Sequence, residues 1–320
     1  MLSAARHPPA AAQSAGVSPF DLDDEAAYQR WREIKLARQP RSTEDISVDV
    51  RDPRALSRSE RGALLDCIVR ANTAIYRSPV RDDDATLPQQ LGAQLGLHRL
   101  DANWLAGEQG VSAITVSDAS DGRGGFIPYT ARAIGWHTDG YYHPDERRIH
   151  AMLLHCVRAA ARGGINQVLD PERVYIALRD ASPAHVQALM RPDAMRIPAR
   201  DDEQGVARAE QGGPVFSVAE NGCLHMRYTA RTRSIAWAED AATQAALACL
   251  QGLLDQGCEG AVINLQLDAG SGLVGHNVLH ARSAFEDDPA APRLLYRARF
   301  LDRVGDTPST PATEAAWRNG

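Results

Sequence analysis

From about residue 112 to residue 302 the chain alternates apolar and polar positions in short runs: "SAITVSD", "FIPYTARAIGWH", "IHAMLLHCV", "AMRIPA", "PVFSVAE", "CLHMRYTA", "AVINLQLD", "GLVGHNVLH" and "RLLYRARFL". Alternation puts every second side chain on one face, so each run predicts a strand. Two helical stretches interrupt them, "PERVYIALRD" continued by "PAHVQALMR", and "EDAATQAALACLQGLLDQG". Upstream, Tyr28, Trp31, Ile34 and Leu36 recur near a helical period, and Ile46, Val48 and Val50 alternate as in a strand. Ser57 and Glu60 form a capping box that opens a helix through "RSERGALLDCIVRAN". A strand over residues 73–76 and a helix near "DATLPQQLGAQLG" follow. Many strands, few helices and no βαβ rhythm predict an α+β fold built on antiparallel sheets paired as a jelly roll.

No stretch reads as a linker, so residues 21–303 are expected to form a single domain. Residues 1–20, "MLSAARHPPAAAQSAGVSPF", lack the continuous apolar region of a signal peptide and are expected to be a flexible arm. Residues 304–320 are expected to be a loosely ordered tail. The segments 78–87 and 199–214 are polar enough to serve as lids.

Composition narrows the function. The chain has 320 residues, 44% hydrophobic and 24% charged, as in an ordinary globular protein with a sizeable core. Its formal net charge of −6 gives no electrostatic reason to bind nucleic acid or an anionic membrane, so a small-molecule substrate is expected. Five cysteines without a CxxC pair read as reduced thiols, mostly core, in a cytoplasmic protein. No apolar run approaches the length of a membrane span.

The candidate chemistry begins with two His-x-Asp triplets, His137-Thr138-Asp139 and His143-Pro144-Asp145. A His and an Asp two apart on a strand point to the same side and can grip one cation. The first triplet ends a strand-like run, whereas the second has a proline in its middle and leads into "ERR", as a solvated turn does. A distant strand offers His280, with His276 as a rival on the same face. A third ligand would complete a two-His, one-carboxylate triad, which leaves open positions on Fe(II). Arg293 and Arg297 follow, able to hold the carboxylates of a keto acid bidentately.

The stretches Trp136-His137-Thr138-Asp139-Gly140, Gly163-Gly164-Ile165-Asn166, Asn277-Val278-Leu279-His280-Ala281-Arg282 and Arg293-Leu294-Leu295-Tyr296-Arg297 resemble the Fe(II)/2-oxoglutarate-dependent dioxygenases of the taurine dioxygenase and clavaminate synthase-like branch. The likeness runs from about residue 110 to residue 302. It implies a double-stranded β-helix core, with His137, Asp139 and His280 as iron ligands. It favours His280 over His276 because an arginine stands two residues later. It places Arg297 on the distal carboxylate of 2-oxoglutarate, Arg293 nearer the metal end and Asn166 as a side-chain donor to the cosubstrate. Asn166 stands where taurine dioxygenase has Thr; an amide still donates, but strict taurine specificity is not implied. The reaction implied consumes O2 and 2-oxoglutarate, releases succinate and CO2, and hydroxylates an unactivated C–H bond of a small polar or amino-acid-like substrate. Desaturation or cyclisation is the alternative within the branch.

Outside that set, Tyr141 and Tyr142 can line the substrate pocket or simply pack, and Arg227 is the site-directed candidate for an acidic substrate group. Arg231 and Arg233 read as a solvated edge, and His150, His155 and His225 as core histidines. A zinc hydrolase or a non-catalytic binding β-domain could also carry His, Asp and His on strands, but neither needs the two distal arginines.

Overall fold

The computed structural model describes residues 18–101, 110–117, 126–202 and 205–305. Most of the expected arm, residues 1–17, and most of the expected tail, residues 306–320, lie outside these. The three described residues of the arm join the folded body. Phe20 is buried, edge-on to Trp31 and Tyr175 with ring centroids 5.0 and 5.3 Å away. At the other end Val304 is buried and the Gly305 amide donates to the Leu95 carbonyl.

Two sheets carry the site. The larger contains β1 (Ser47–Asp49), β2 (Thr73–Arg77), β3 (Val111–Ile114), β5 (Ala151–Arg158), β8 (Ser271–His276) and β10 (Leu294–Phe300), in the spatial order β1-β2-β8-β5-β10-β3. The smaller contains β4 (Ile134–His137), β6 (Asn166–Leu169), β7 (Ile263–Leu265) and β9 (Leu279–Arg282), in the order β7-β6-β9-β4. Every pairing is antiparallel except β1 with β2. One apolar core joins Met152, Leu153, Val274 and Ala298 of the larger sheet to Val168, Ile263 and Leu265 of the smaller. A second forms where the helices Glu25–Ala37, Pro171–Ala181, Pro183–Leu189 and Ala241–Asp255 cover Leu169 and Leu279.

The predicted helices and most strands are present, and Ser57 and Glu60 do form the capping box of the helix Arg58–Ala71. Two departures matter for the site. Of "FIPYTARAIGWH" only the end, β4, is a strand, because the carbonyls of Pro128, Thr130 and Arg132 are taken by the Arg282 guanidinium instead of a neighbouring strand. The run "GLVGHNVLH" is two strands, broken at Asn277-Val278, so His276 belongs to the larger sheet and His280 to the smaller. The two histidines therefore do not share a face, contrary to the expectation from their spacing.

Candidate active site

His137 closes β4 and His280 lies in β9, and the two are register partners across the pair, with ring centroids 4.1 Å apart. Each imidazole is oriented by its own strand: Nδ1 lies 2.9 Å from the carbonyl two residues earlier, Gly135 for His137 and Val278 for His280. A carbonyl can only accept, so both Nδ1 atoms carry the proton and both Nε2 lone pairs are left for a cation. Burial pushes the pKa of His137 down to about 3, with His280 adding to the effect, and burial lowers His280 in the same direction. Both rings are thus neutral, as metal ligation requires.

Asp139 follows where the backbone leaves the strand. The Thr138 amide donates to the Tyr228 carbonyl, and the Thr138 hydroxyl accepts from the Tyr228 amide. The Asp139 amide donates to Asn277 Oδ1, while Asn277 Nδ2 donates to the carbonyls of Asp139 and Ile149. Gly140 has φ +65°, and a Cβ there would run into Ile149 and His143, so only glycine lets the chain turn away directly after the carboxylate. Burial alone would raise the Asp139 carboxyl, but the Arg297 and Arg299 guanidiniums hold it well below the usual carboxylate range.

One donor atom from each of His137, Asp139 and His280 lies within 4.8 Å of the others, and among the described residues no other such group of three is present. Arg297 Nη1 donates to Asp139 Oδ1 at 3.3 Å. Asp139 Oδ2 is buried without a hydrogen-bond partner. Two neutral imidazoles and a buried anionic oxygen lacking a donor fit one divalent cation.

The arginines stand in the reverse of the expected order. Arg297, not Arg293, is at the metal end, beside Asp139. Arg293 is four residues back on the same chain, about 13 Å along an extended backbone. It is buried, its guanidinium 5.0 Å over the Phe285 ring and its Nε beside Gly164, and it pairs with no carboxylate among the described residues. Asn166, whose Nδ2 reaches the Gly164 carbonyl at 3.5 Å, stands at this far end.

Of the substrate candidates, Arg227 is otherwise engaged. Its Nε donates to the Tyr141 carbonyl and its two terminal nitrogens to those of Gly212 and Gln211, so it fastens backbone to backbone. Tyr141 packs against Met195, Ile197 and Ile235. Tyr142 is half-buried, and its hydroxyl accepts from Arg299 at 3.1 Å. Arg231 and Arg233 are exposed, as expected. His155 is bonded to the Tyr76 hydroxyl, and His276 to Asn72 and Arg303. Sequence reasoning gave no role to Asn277 or Arg299. A lone amide inside an apolar run signals the first, and the period-two spacing from Arg297 the second.

Two histidines on paired antiparallel strands and a buried carboxylate in the turn just beyond, with arginines beside it, form a donor set that could hold a single metal ion. The model of the Taurine catabolism dioxygenase TauD, TfdA family matches residues 34–299. The chain belongs to this family, and it is an Fe(II)/2-oxoglutarate-dependent dioxygenase. A uridine-5'-phosphate dioxygenase from Streptomyces sp is 36% identical over 195 residues, 60% of this chain and 69% of that protein. One from Amycolatopsis sp is 33% identical over 190 residues, 58% of this chain and 66% of that one. Among solved structures, asparagine oxygenase in complex with Fe(II), 3-hydroxyasparagine and succinate is similar over 90% of this chain and 86% of its own, with a TM-score of 0.56 at 18% identity. The non-heme iron oxygenase OrfP with Fe, succinate and (3S)-hydroxy-L-Arg is similar over 82% and 84%, with a TM-score of 0.57 at 16% identity. No helix among the described residues is long and apolar enough to cross a membrane.

Proposed function

We propose that the protein hydroxylates a small anionic substrate of the nucleoside monophosphate class, using Fe(II) held by His137, Asp139 and His280. The three donor atoms within 4.8 Å of one another, with Arg297 on Asp139, carry this reading. The two sheets are read as the faces of a double-stranded β-helix, with the iron centre on the smaller, in a protein that works in the cytoplasm. Bound there, Fe(II) supplies the chemistry that couples O2 reduction and 2-oxoglutarate decarboxylation to oxidation of a C–H bond.

The chain's own groups do the rest. The Gly135 and Val278 carbonyls hold the two imidazoles in the tautomer that presents Nε2. Arg297 keeps Asp139 ionised and occupies Oδ1, which leaves Oδ2 for the cation. Arg293 is the residue for the distal carboxylate of 2-oxoglutarate, with the Asn166 amide as second donor. A buried guanidinium without an anionic partner costs desolvation, and a bidentate carboxylate offsets it. Arg297, whose Nε is buried without a partner, orients the cosubstrate's metal end. Zinc-dependent hydrolysis would not in itself require the two arginines.

The substrate class rests on the two uridine-5'-phosphate dioxygenases and on the arginines that surround the site. The test is UMP-dependent release of succinate from 2-oxoglutarate under air, with mass analysis of the nucleotide. A gain of one oxygen atom is expected, whereas a loss of two hydrogens would mark desaturation or cyclisation. Equal succinate release with and without UMP, alongside unchanged nucleotide, would overturn the substrate class.

A further inference from the structure

A short hairpin beside the site, with strands Arg200–Asp202 and Gly205–Arg208, brings two arginines face to face. Arg200 and Arg208 are register partners at its base. The Arg200 guanidinium lies 5.7 Å from the centre of the Phe126 ring, and that of Arg208 lies 5.4 Å from the centre of the Tyr142 ring. Opposite positions on an antiparallel pair point to the same side, so the two cations share one face and repel. We propose that Arg200 and Arg208, paired over Phe126 and Tyr142, clamp the phosphate monoester of a nucleotide substrate, an inference that rests on the iron-centre reading above.

Three observations support the clamp. Arg208 donates through Nη2 to the Pro198 carbonyl, which holds the side chain in place, but its Nε is buried with no partner. Burial lowers the Arg208 pKa, with Arg200 adding to the effect. Two positive charges in register, each near an aromatic face, are an arrangement that a dianion stabilises more than a neutral ligand does. Finally, the pair is linked to the iron centre. Tyr142 is three residues beyond Asp139, its hydroxyl accepts from Arg299, and Arg299 is among the cations that keep Asp139 ionised. A phosphate between Arg200 and Arg208 would hold the remainder of the nucleotide along Tyr142 toward the metal. Arg227, expected from sequence to meet the substrate's acid group, instead braces the Tyr141 backbone.

The test is calorimetric titration of UMP, uridine and inorganic phosphate into the protein loaded anaerobically with Fe(II) and 2-oxoglutarate, for wild type, Arg208→Gln and Arg200→Gln. The visible band of chelated 2-oxoglutarate, recorded in each, reports an intact metal site. Wild type should bind UMP at least about thirtyfold more tightly than uridine. Arg208→Gln should lose about tenfold or more for UMP and less than about twofold for uridine, with Arg200→Gln smaller in the same sense. Inorganic phosphate should bind weakly and compete with UMP. Equal wild-type affinity for UMP and uridine overturns the clamp, as does a variant that keeps the band but loses both ligands equally. Phosphate-dependent binding without the band would keep the clamp and sink the iron-centre reading.

Discussion

The metal end of the site and its rim treat their polar groups in opposite ways. Around His137, Asp139 and His280 nearly every orienting hydrogen bond comes from the chain itself: the Gly135 and Val278 carbonyls, the Asn277 amide, and Arg297 on the carboxylate. At the rim, Arg200 and Arg208 are register partners, each near an aromatic ring. The first arrangement fixes the two rings and the Asp139 backbone through the fold itself and leaves Asp139 Oδ2 open for a cation. The second, two like charges in register, is one that an added anion would stabilise. Reaction class is therefore written into strand pairing, and substrate choice into side chains that the fold alone does not need.

The sharpest way to break the comparison is at the two histidines four residues apart. His280→Ala should abolish Fe(II) binding and turnover, read by metal analysis after gel filtration and by succinate release. His276→Ala should keep the metal and lose about 1–3 kcal/mol of stability in denaturant unfolding, because it leaves Asn72 and Arg303 without their buried partner. The reverse outcome would assign the third ligand wrongly.

Next in size are the two arginines of β10's chain segment. Arg293→Ala should raise the KM for 2-oxoglutarate on the order of a hundredfold with kcat little changed at saturation, and Arg293→Lys should recover only part of it. Arg297→Ala should lower kcat as well, since it also frees Asp139 Oδ1. If Arg293→Ala left the 2-oxoglutarate KM within about twofold of wild type while Arg297→Ala raised it a hundredfold, the order expected from sequence would stand instead.

Asn277→Ala removes the donor and acceptor that hold the Asp139 backbone to the Ile149 carbonyl. A stability loss of about 2–4 kcal/mol and a weaker hold on Fe(II), by roughly tenfold or more, are expected in denaturant and metal-competition titrations. The smallest effect is in pH. Burial would raise the Asp101 carboxyl, but His143 and Arg299 hold it well below its ordinary value. A depressed carboxylate stabilises the fold at pH above its unfolded pKa of about 3.9 and loses that contribution as pH falls below it. Wild-type Tm should thus drop between about pH 4 and pH 2 more steeply than that of Asp101→Asn, measured by thermal scans.

Much of this was legible in the sequence where a local rule decided the outcome. Alternation marks the strands, Ser57 and Glu60 the cap, and Trp136–Gly140 the segment that brings His137 and Asp139 to His280. What was not legible depends on contacts between distant segments. The break at Asn277-Val278 moves His276 onto another sheet, and period counting alone cannot see a strand change sheets. Arg282 converts "FIPYTARA" from strand to loop by gathering its carbonyls, which only the three-dimensional approach reveals. Arg227 looks directed at a substrate from its neighbours Met226 and Tyr228, yet backbone carbonyls from two other segments consume its donors. The order of Arg293 and Arg297 relative to the metal likewise follows from which end of β10 passes Asp139.

The central claim is that His137, Asp139 and His280 hold one Fe(II) on which 2-oxoglutarate chelates. Anaerobic titration of Fe(II) into the protein with 2-oxoglutarate, following the weak visible metal-to-ligand charge-transfer band in wild type and Asp139→Ala, tests it most directly. The account predicts a band that saturates at one Fe(II) per chain in wild type and is lost in Asp139→Ala. A wild type that binds Fe(II) without developing the band, or an Asp139→Ala variant that keeps it at full strength, would contradict it.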